Sequence, residues 1–205
     1  MTYRVVDDYY RQAHFDFFRK GTSPFYSLTF NLDITKLKAE LDRRGYSAYL
    51  NLCYFFIKGM QPIEDFRYRF LDGRIVLYET LHLGLTVPAP KGLFSFHYLD
   101  YDPDWERFNR TSSIPAEKEV SLVTQKHRNY VYFTTLPWVT FTGLTHPESV
   151  VKTDAEPKVC FGKFFEQEGK LMVPVGMQVN HLFIDGVHLS ELADRAQELY
   201  NNPDR

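Results

Sequence analysis

Cysteine is scarce in this chain: Cys53 and Cys160 are the only two in 205 residues. They lie far apart in apolar surroundings, without CxxC spacing or a cysteine–histidine cluster, so buried thiols are expected and a metal site is not. No basic block is present. With 24 Lys+Arg against 26 Asp+Glu and a net charge of -2, nothing offers nucleic acid a continuous phosphate track. No run approaches the roughly 18 apolar residues of a membrane span. The N-terminus "MTYRVVDDYYRQ" carries acidic residues and no apolar leader core, which predicts a cytoplasmic protein with no membrane partner. Internal repeats, low-complexity tracts and Gly/Ser linkers are missing, so residues 1–205 read as a single domain, long enough to bury a substantial core. GxGxxG, P-loop and Gly-x-Ser-x-Gly patterns are also absent, which removes the usual dinucleotide, nucleotide and hydrolase signatures.

Aromatic residues, by contrast, are plentiful: 17% of the chain, with 18 Phe and 14 Tyr. Most belong in an ordinary core, and the surplus can line an apolar cavity or a subunit interface. "DDYYRQAHFDFFRK" places Tyr10, His14, Phe17 and Phe18 at helical spacing before Gly21 and Pro24. "FYSLTFNLDI" alternates as a strand; a helix follows with Asp33 as its cap, Ile34, Leu37 and Leu41 on one face and Gly45 as its stop. "SAYLNLCYFFIKGM" is apolar nearly all round and predicts a helix buried on several sides. Asp72-Gly73 between alternating runs predicts a hairpin. "LHLGLTVPAP", "LFSFHYLDY", "NYVYFTTLPWVTFTG" and "PKVCFGKFFEQEGKLMVPVGMQVNH" read as further strands, the last turning at Glu168-Gly169. Pro103 and Pro115 suit the starts of two surface helices, and a terminal helix ends the chain. Hairpins with grouped helices and no regular βαβ alternation predict an α+β two-layer sandwich, its sheet mixed and largely antiparallel and covered by helices.

"MQVNHLFIDGVHLSELADRAQELY" joins that last strand to the last helix. Alternation from Leu171 to Val179 puts His181 on the apolar face if the pleat continues, and Pro174 argues for a bulge or an edge. His181 then has two readings. It is a satisfied core histidine above an Asp185-Gly186 helix cap, or a neutral imidazole able to take a proton from a substrate hydroxyl or thiol. The remaining histidines, His82, His97, His127 and His146 among them, show no paired ligand spacing; His14 has a structural reading beside Arg11.

"QVNHLFIDGVH" closely resembles the active-site signature of the chloramphenicol acetyltransferases, Gln-Val-His-His-x-x-x-Asp-Gly-Phe/Tyr-His, matching at Gln178, Val179, His181, Asp185, Gly186 and His188. "RQAHFDFF", "FYSLTFNLDITKLK" and "LPWVTFTG" resemble other segments of that family, in the right order along nearly the whole chain. The resemblance implies acetyl transfer from acetyl-CoA to the hydroxyl of chloramphenicol or a similar small acceptor. It implies a homotrimer with active sites at subunit interfaces. His181 is then the general base, with Asp185 paired to Arg11 to brace the turn and Gly186 completing it. Phe25 and Tyr26 fall near the family's acceptor-site aromatics.

Three positions depart from the family pattern. Its first histidine is Asn180 here. The serine that would donate to the oxyanion is Gly143, with Thr140 and Thr142 as nearby hydroxyls; strand parity puts both on the opposite side from 143 unless a bulge re-aims Thr142. A threonine before the last hairpin is Cys160, in the acceptor region. These departures keep open the same chemistry on another hydroxylated metabolite, or a binding protein with a degenerate site that holds CoA or an apolar ligand. A dihydrolipoyl acyltransferase core shares the His-x-x-x-Asp-Gly turn and is a further alternative.

Overall fold

The structure is a computed structural model describing residues 2–125 and 127–204. Its elements run β1 (Tyr3–Val5), α1 (Gln12–Lys20), β2 (Phe25–Asp33), α2 (Thr35–Arg44), α3 (Ala48–Met60), β3 (Tyr68–Leu71), β4 (Arg74–Tyr78), β5 (His82–Ala89), β6 (Leu93–Leu99), α4 (Trp105–Thr111), β7 (Tyr130–Leu136), β8 (Lys158–Gly162), β9 (Phe165–Gln167), β10 (Lys170–Asn180) and α5 (Gly186–Asn201). The main sheet has the order β2-β10-β8-β7-β5-β6, with β9 against β10. Strand β7 is parallel to both neighbours, and the other pairs of this sheet are antiparallel. A smaller sheet, β1-β4-β3, stands beside it. Helices α2, α3 and α5 pack together and against the main sheet, the α+β sandwich expected from the hairpins. Among the described residues no helix is long and apolar enough to cross a membrane.

Local chemistry accounts for these elements. Ser47 caps α3 by accepting from the Leu50 amide, and Leu50 to Ile57 are all buried, as an all-round apolar helix requires. Asp72 and Gly73 both take positive φ, 48° and 81°, which gives the β3–β4 hairpin a turn twist that suits its strands. Asp33 precedes the cap position, held by Ile34, and accepts from the Thr35 amide at 2.9 Å. Pro174 lies within the central strand β10 and not at an edge. It sits between the residues that pair with β9, ending at Met172, and those that pair with β8, beginning at Val175, where no partner on that side needs its missing N–H.

Three expectations are corrected. The first helix buries Phe15 and partly buries Phe18, while Tyr10 and Phe17 are exposed and so is His14. Residues 115–125 form no helix. That segment lies along the β5–β6 hairpin, with the Phe96 amide donating to the Ser121 carbonyl and the Lys118 amide to the Pro88 carbonyl, which partners groups a sheet edge otherwise leaves open. The strand starting at Tyr130 stops at Leu136, before Pro137, so strand parity does not govern Thr140, Thr142 and Gly143.

Residues 137–157 instead form an irregular strap over β8 and β10. The Leu144 amide donates to Thr29 Oγ1 at 3.2 Å, and the Lys163 amide to the Val139 carbonyl at 2.9 Å. Close approach is possible because β8 and β10 present glycine there. A Cβ on Gly162 would lie 2.6 Å from Pro174 Cγ and 2.7 Å from the Phe141 ring, and one on Gly176 would lie 3.0 Å from Leu144 Cβ. Gly162→Ala is therefore expected to cost about 1–3 kcal/mol through overpacking. Gly143→Ala, where nothing stands within 4 Å, should stay within about 0.5 kcal/mol. Urea denaturation midpoints of the two variants check this, and equal costs would contradict the strap packing.

Candidate active site

Strand β10 carries the chain out of the sheet at Asn180, and α5 begins at Gly186, so five residues must turn between two rigid elements. Asn180 makes the turn. Its carbonyl accepts from the Phe183 and Ile184 amides, and its Oδ1 accepts from the Leu182 amide at 2.9 Å. Its Nδ2 donates to the Lys152 and Asp154 carbonyls at 2.8 and 2.7 Å, tying the strap to the same point. Leu182, Phe183 and Ile184 are buried, with Phe183 ring-packed on Tyr9, Phe15 and Tyr68.

His181 stands at the head of this turn. Its amide donates to the Pro24 carbonyl at 2.8 Å. The imidazole is stacked on Phe18, centroids 3.9 Å apart and planes 13° from parallel, and is tilted against Tyr26 at 4.7 Å. The ring is half-buried rather than enclosed, and its Nδ1 is covered, with no hydrogen-bond partner among the described residues. An imidazole with an unused buried nitrogen, clamped between two aromatic faces, is not the fully satisfied core histidine of the first reading.

Arg11 braces the turn from the far side. Its guanidinium is buried and reaches three groups. Nη1 donates to the Phe183 carbonyl at 2.9 Å and lies 3.3 Å from His188 Nδ1, and Nη2 donates to Asp185 Oδ2 at 3.2 Å. Asp185 caps α5, its Oδ1 accepting from the Gly186 amide at 2.6 Å. The hydrogen bond from that amide, then Arg11, His181 and His188 nearby, hold the carboxyl below its ordinary range against the cost of burial. The Arg11–Asp185 pair expected from the resemblance is thus present. Gly186 contributes its N–H alone, since a Cβ there meets nothing within 4 Å.

The network extends beyond the residues singled out in the sequence. His188 Nδ1 accepts from the Asp185 amide at 2.9 Å, closing a capping box. Because Nδ1 accepts, Nε2 carries the proton, and it lies 3.5 Å from Asp65 Oδ2; Tyr10 donates to the other oxygen of that carboxylate at 2.7 Å. The capping spacing Asp185-x-x-His188 is visible in the sequence. Asp65, Tyr10 and Phe18 arrive from distant segments with no local signal.

The other site residues are dispersed. Thr140 donates to the Lys163 carbonyl at 3.3 Å, Thr142 and Gly143 are exposed, and none of the three bonds to His181. Cys160 is buried within β8, and burial pushes its thiol up to about 11. Phe25 lies under Lys158, whose Nζ is 5.6 Å from the ring centroid. A cavity of about 1060 Å³ opens between β5, β6, β7 and the strap, lined among others by Thr86, Phe94, Phe96, Phe133, Trp138 and Lys158. Neither His181 nor Phe25, Tyr26 or Cys160 lines it within its own chain. No cluster of three metal-ligating side chains occurs among the described residues.

This architecture is that of an acyltransferase fold. A solved chloramphenicol acetyltransferase superposes with a TM-score of 0.89 at 24% identity, over 97% of this chain and 100% of that one. A catalytic core of the 2-oxoacid dehydrogenase multienzyme complex from Thermoplasma acidophilum shares the fold at 0.63 and 14% identity, over 98% of this chain and 100% of its own. In sequence, a chloramphenicol acetyltransferase of Bacillus pumilus is 29% identical across 207 residues, 98% of this chain and 94% of that protein. The chain belongs to the chloramphenicol acetyltransferase family, whose sequence profile matches residues 1–197. It is an enzyme of the acyltransferase class.

Burial holds His188 below the ordinary histidine range, with Asp65 opposing that shift and Arg11 adding to it. A base kept neutral in the native state supports folding fully above its unfolded value near 6.5. That support is lost as pH falls through 6.5 toward the depressed native value. His188→Asn, which keeps a capping acceptor but cannot take up the proton, should flatten the decline in unfolding free energy between pH 7 and 5. His188→Ala should lose about 1 kcal/mol at pH 7.5 as the cap opens. Denaturant titrations across pH check both, and a His188→Asn profile as steep as wild type would contradict the assignment.

Proposed function

We propose that the protein transfers an acetyl group from acetyl-CoA to a hydroxyl of a small acceptor, with chloramphenicol the first to test. His181 is the general base, and Asp185, Arg11 and Gly186 hold its turn. The observation that carries this reading is the clamped imidazole. Its ring is fixed by Phe18 and Tyr26, its Nδ1 is covered, and its Nε2 makes no hydrogen bond among the described residues. Nε2 takes the acceptor hydroxyl proton as the oxygen bonds to the thioester carbonyl carbon. The tetrahedral adduct then expels the CoA thiolate, and the imidazolium returns its proton to that sulfur. General-base assistance of this kind is worth roughly 10²–10⁴-fold.

His181 does not face the large cavity of its own chain, which supports a site completed by a second copy: the histidine of one subunit over the cavity of the next, in a homotrimer. Exposed apolar side chains on the strap, Trp138, Val139 and Val150, and Phe17 on α1 favour such burial. Phe25 and Tyr26, at the start of β2 beside the histidine turn, and Cys160 on β8 are assigned to the acceptor side of that shared site, and a cytoplasmic enzyme fits this chemistry.

Oxyanion support is the weak part of the machinery. Gly143 has no hydroxyl, Thr140 is engaged with Lys163, and of these three positions Thr142 alone keeps an uncommitted hydroxyl. Open space around Gly143 leaves room for a serine. In a thiol-release assay with acetyl-CoA and chloramphenicol, His181→Ala should lower turnover by at least about 10²-fold, and Gly143→Ser should raise it, by up to the roughly 10²–10³-fold of one oxyanion donor. Activity that survives His181→Ala refutes the assigned base.

A further inference from the structure

The cavity described above is apolar where β5 and β6 wall it and charged at its other end, where Arg128, Asp154, Glu156 and Lys158 line it. Arg128 donates to Glu156 Oε2 through Nε and Nη2, at 2.9 and 2.6 Å, and to Asp154 Oδ1 at 3.0 Å. Lys158 has a looser position, 4.0 Å from Asp154 Oδ2, at the outer limit of an ion pair. The two signs are not presented equally. The cationic side chains are 36% and 23% exposed, the carboxylates of Asp154 and Glu156 only 15% and 8%, so the cavity meets ammonium and guanidinium first.

Behind this wall lies a third cation. Arg69 is 2% exposed and donates to the carbonyls of Phe66, Tyr68, Arg128 and Tyr130, but to no carboxylate. Three cations thus face two acids, and burial raises the carboxyl of Glu156 to about 7 despite Arg128. Near neutral pH this end of the cavity carries an uncompensated positive charge in a partly dry setting, an arrangement that favours an anion. It is also fixed to β10, the strand that leads into the His181 turn. Asn180 holds the Asp154 carbonyl, and Gln178 donates to the carbonyl of His146, another lining residue.

We propose that this wall selects a hydroxylated acceptor that also bears a carboxylate, its apolar body against Phe94, Phe133 and Trp138 and its carboxylate received by Lys158 and Arg128. The inference rests on the reading of the cavity as the acceptor side of an acetyltransferase site. A pH signature follows from the groups facing Glu156: Arg128, Asp154 and Arg69, with Tyr78, Tyr98 and Tyr132 also near. As pH rises through about 7 and Glu156 ionises, the positive excess shrinks and a carboxylate ligand binds less tightly.

Isothermal titration of the full chain with 4-(hydroxymethyl)benzoate, its methyl ester and 4-(hydroxymethyl)benzylamine tests the proposal. At pH 6.5 the carboxylate should bind at least tenfold more tightly than the ester, with the amine weakest. Lys158→Met, verified as folded by thermal unfolding, should bring the carboxylate-to-ester ratio close to one. Carboxylate affinity should fall between pH 6.5 and 8 in wild type and stay level in Glu156→Gln. Equal or tighter binding of ester or amine, binding of none of the three, or an unchanged ratio in Lys158→Met overturns the proposal. Acetyl transfer is read separately. Turnover of neutral acceptors without carboxylate preference sinks the inference and spares the acetyltransferase reading. Tight carboxylate binding with no transfer to any acceptor does the reverse.

Discussion

A buried guanidinium must find acceptors, and Arg11 finds them on one turn and at the start of the helix that follows it. It draws together the Phe183 carbonyl, the Asp185 carboxylate and the unprotonated nitrogen of His188, three groups that lie 172 to 177 residues away in the chain. The half-exposed ion pair with Asp185 contributes little by itself at such a surface. The bond to a buried carbonyl contributes more, and it constrains the backbone directly. From the other side Asn180 uses its carbonyl and its Oδ1 on the same five residues, while its Nδ2 holds the strap. Held at both ends, the turn leaves the His181 ring only the slot between Phe18 and Tyr26.

The same economy of contacts joins the turn to the cavity. Asn180 and Gln178, buried on one face of β10, secure the strap at residues 146, 152 and 154. Glycines 162 and 176 let the strap lie close to the sheet. The charged end of the cavity is therefore fixed to the strand that leads into His181.

Much of this was legible in the sequence for physical reasons that are local. The Asp72-Gly73 hairpin, the all-round apolar α3 and the strand-to-helix passage through Asp185 follow from turn chemistry and periodicity. The resemblance identified the Arg11–Asp185 pair, which spacing alone leaves open. What stayed hidden depends on tertiary partners. Residues 115–125 carry a proline and charges that suit a helix, yet their backbone is bonded along the β5–β6 hairpin. The apolar run after Leu136 looks like a continued strand, but Pro137 ends the ladder and frees it as a strap. Phe18 and Phe17 are indistinguishable in composition, and only the approach of His181 decides which is covered. Asp65 and Tyr10 meet His188 through the packing of distant segments.

The proposed transfer depends on His181 presenting its lone pair at Nε2, with the proton on covered Nδ1. Nitrogen-15 NMR of histidine-labelled protein at pH 7.5, with the signal assigned by its loss in His181→Gln, measures this directly. A fixed Nδ1–H form with an unprotonated Nε2 is the predicted result. An Nε2–H form, or the averaged shifts of a freely exchanging imidazole, would contradict it.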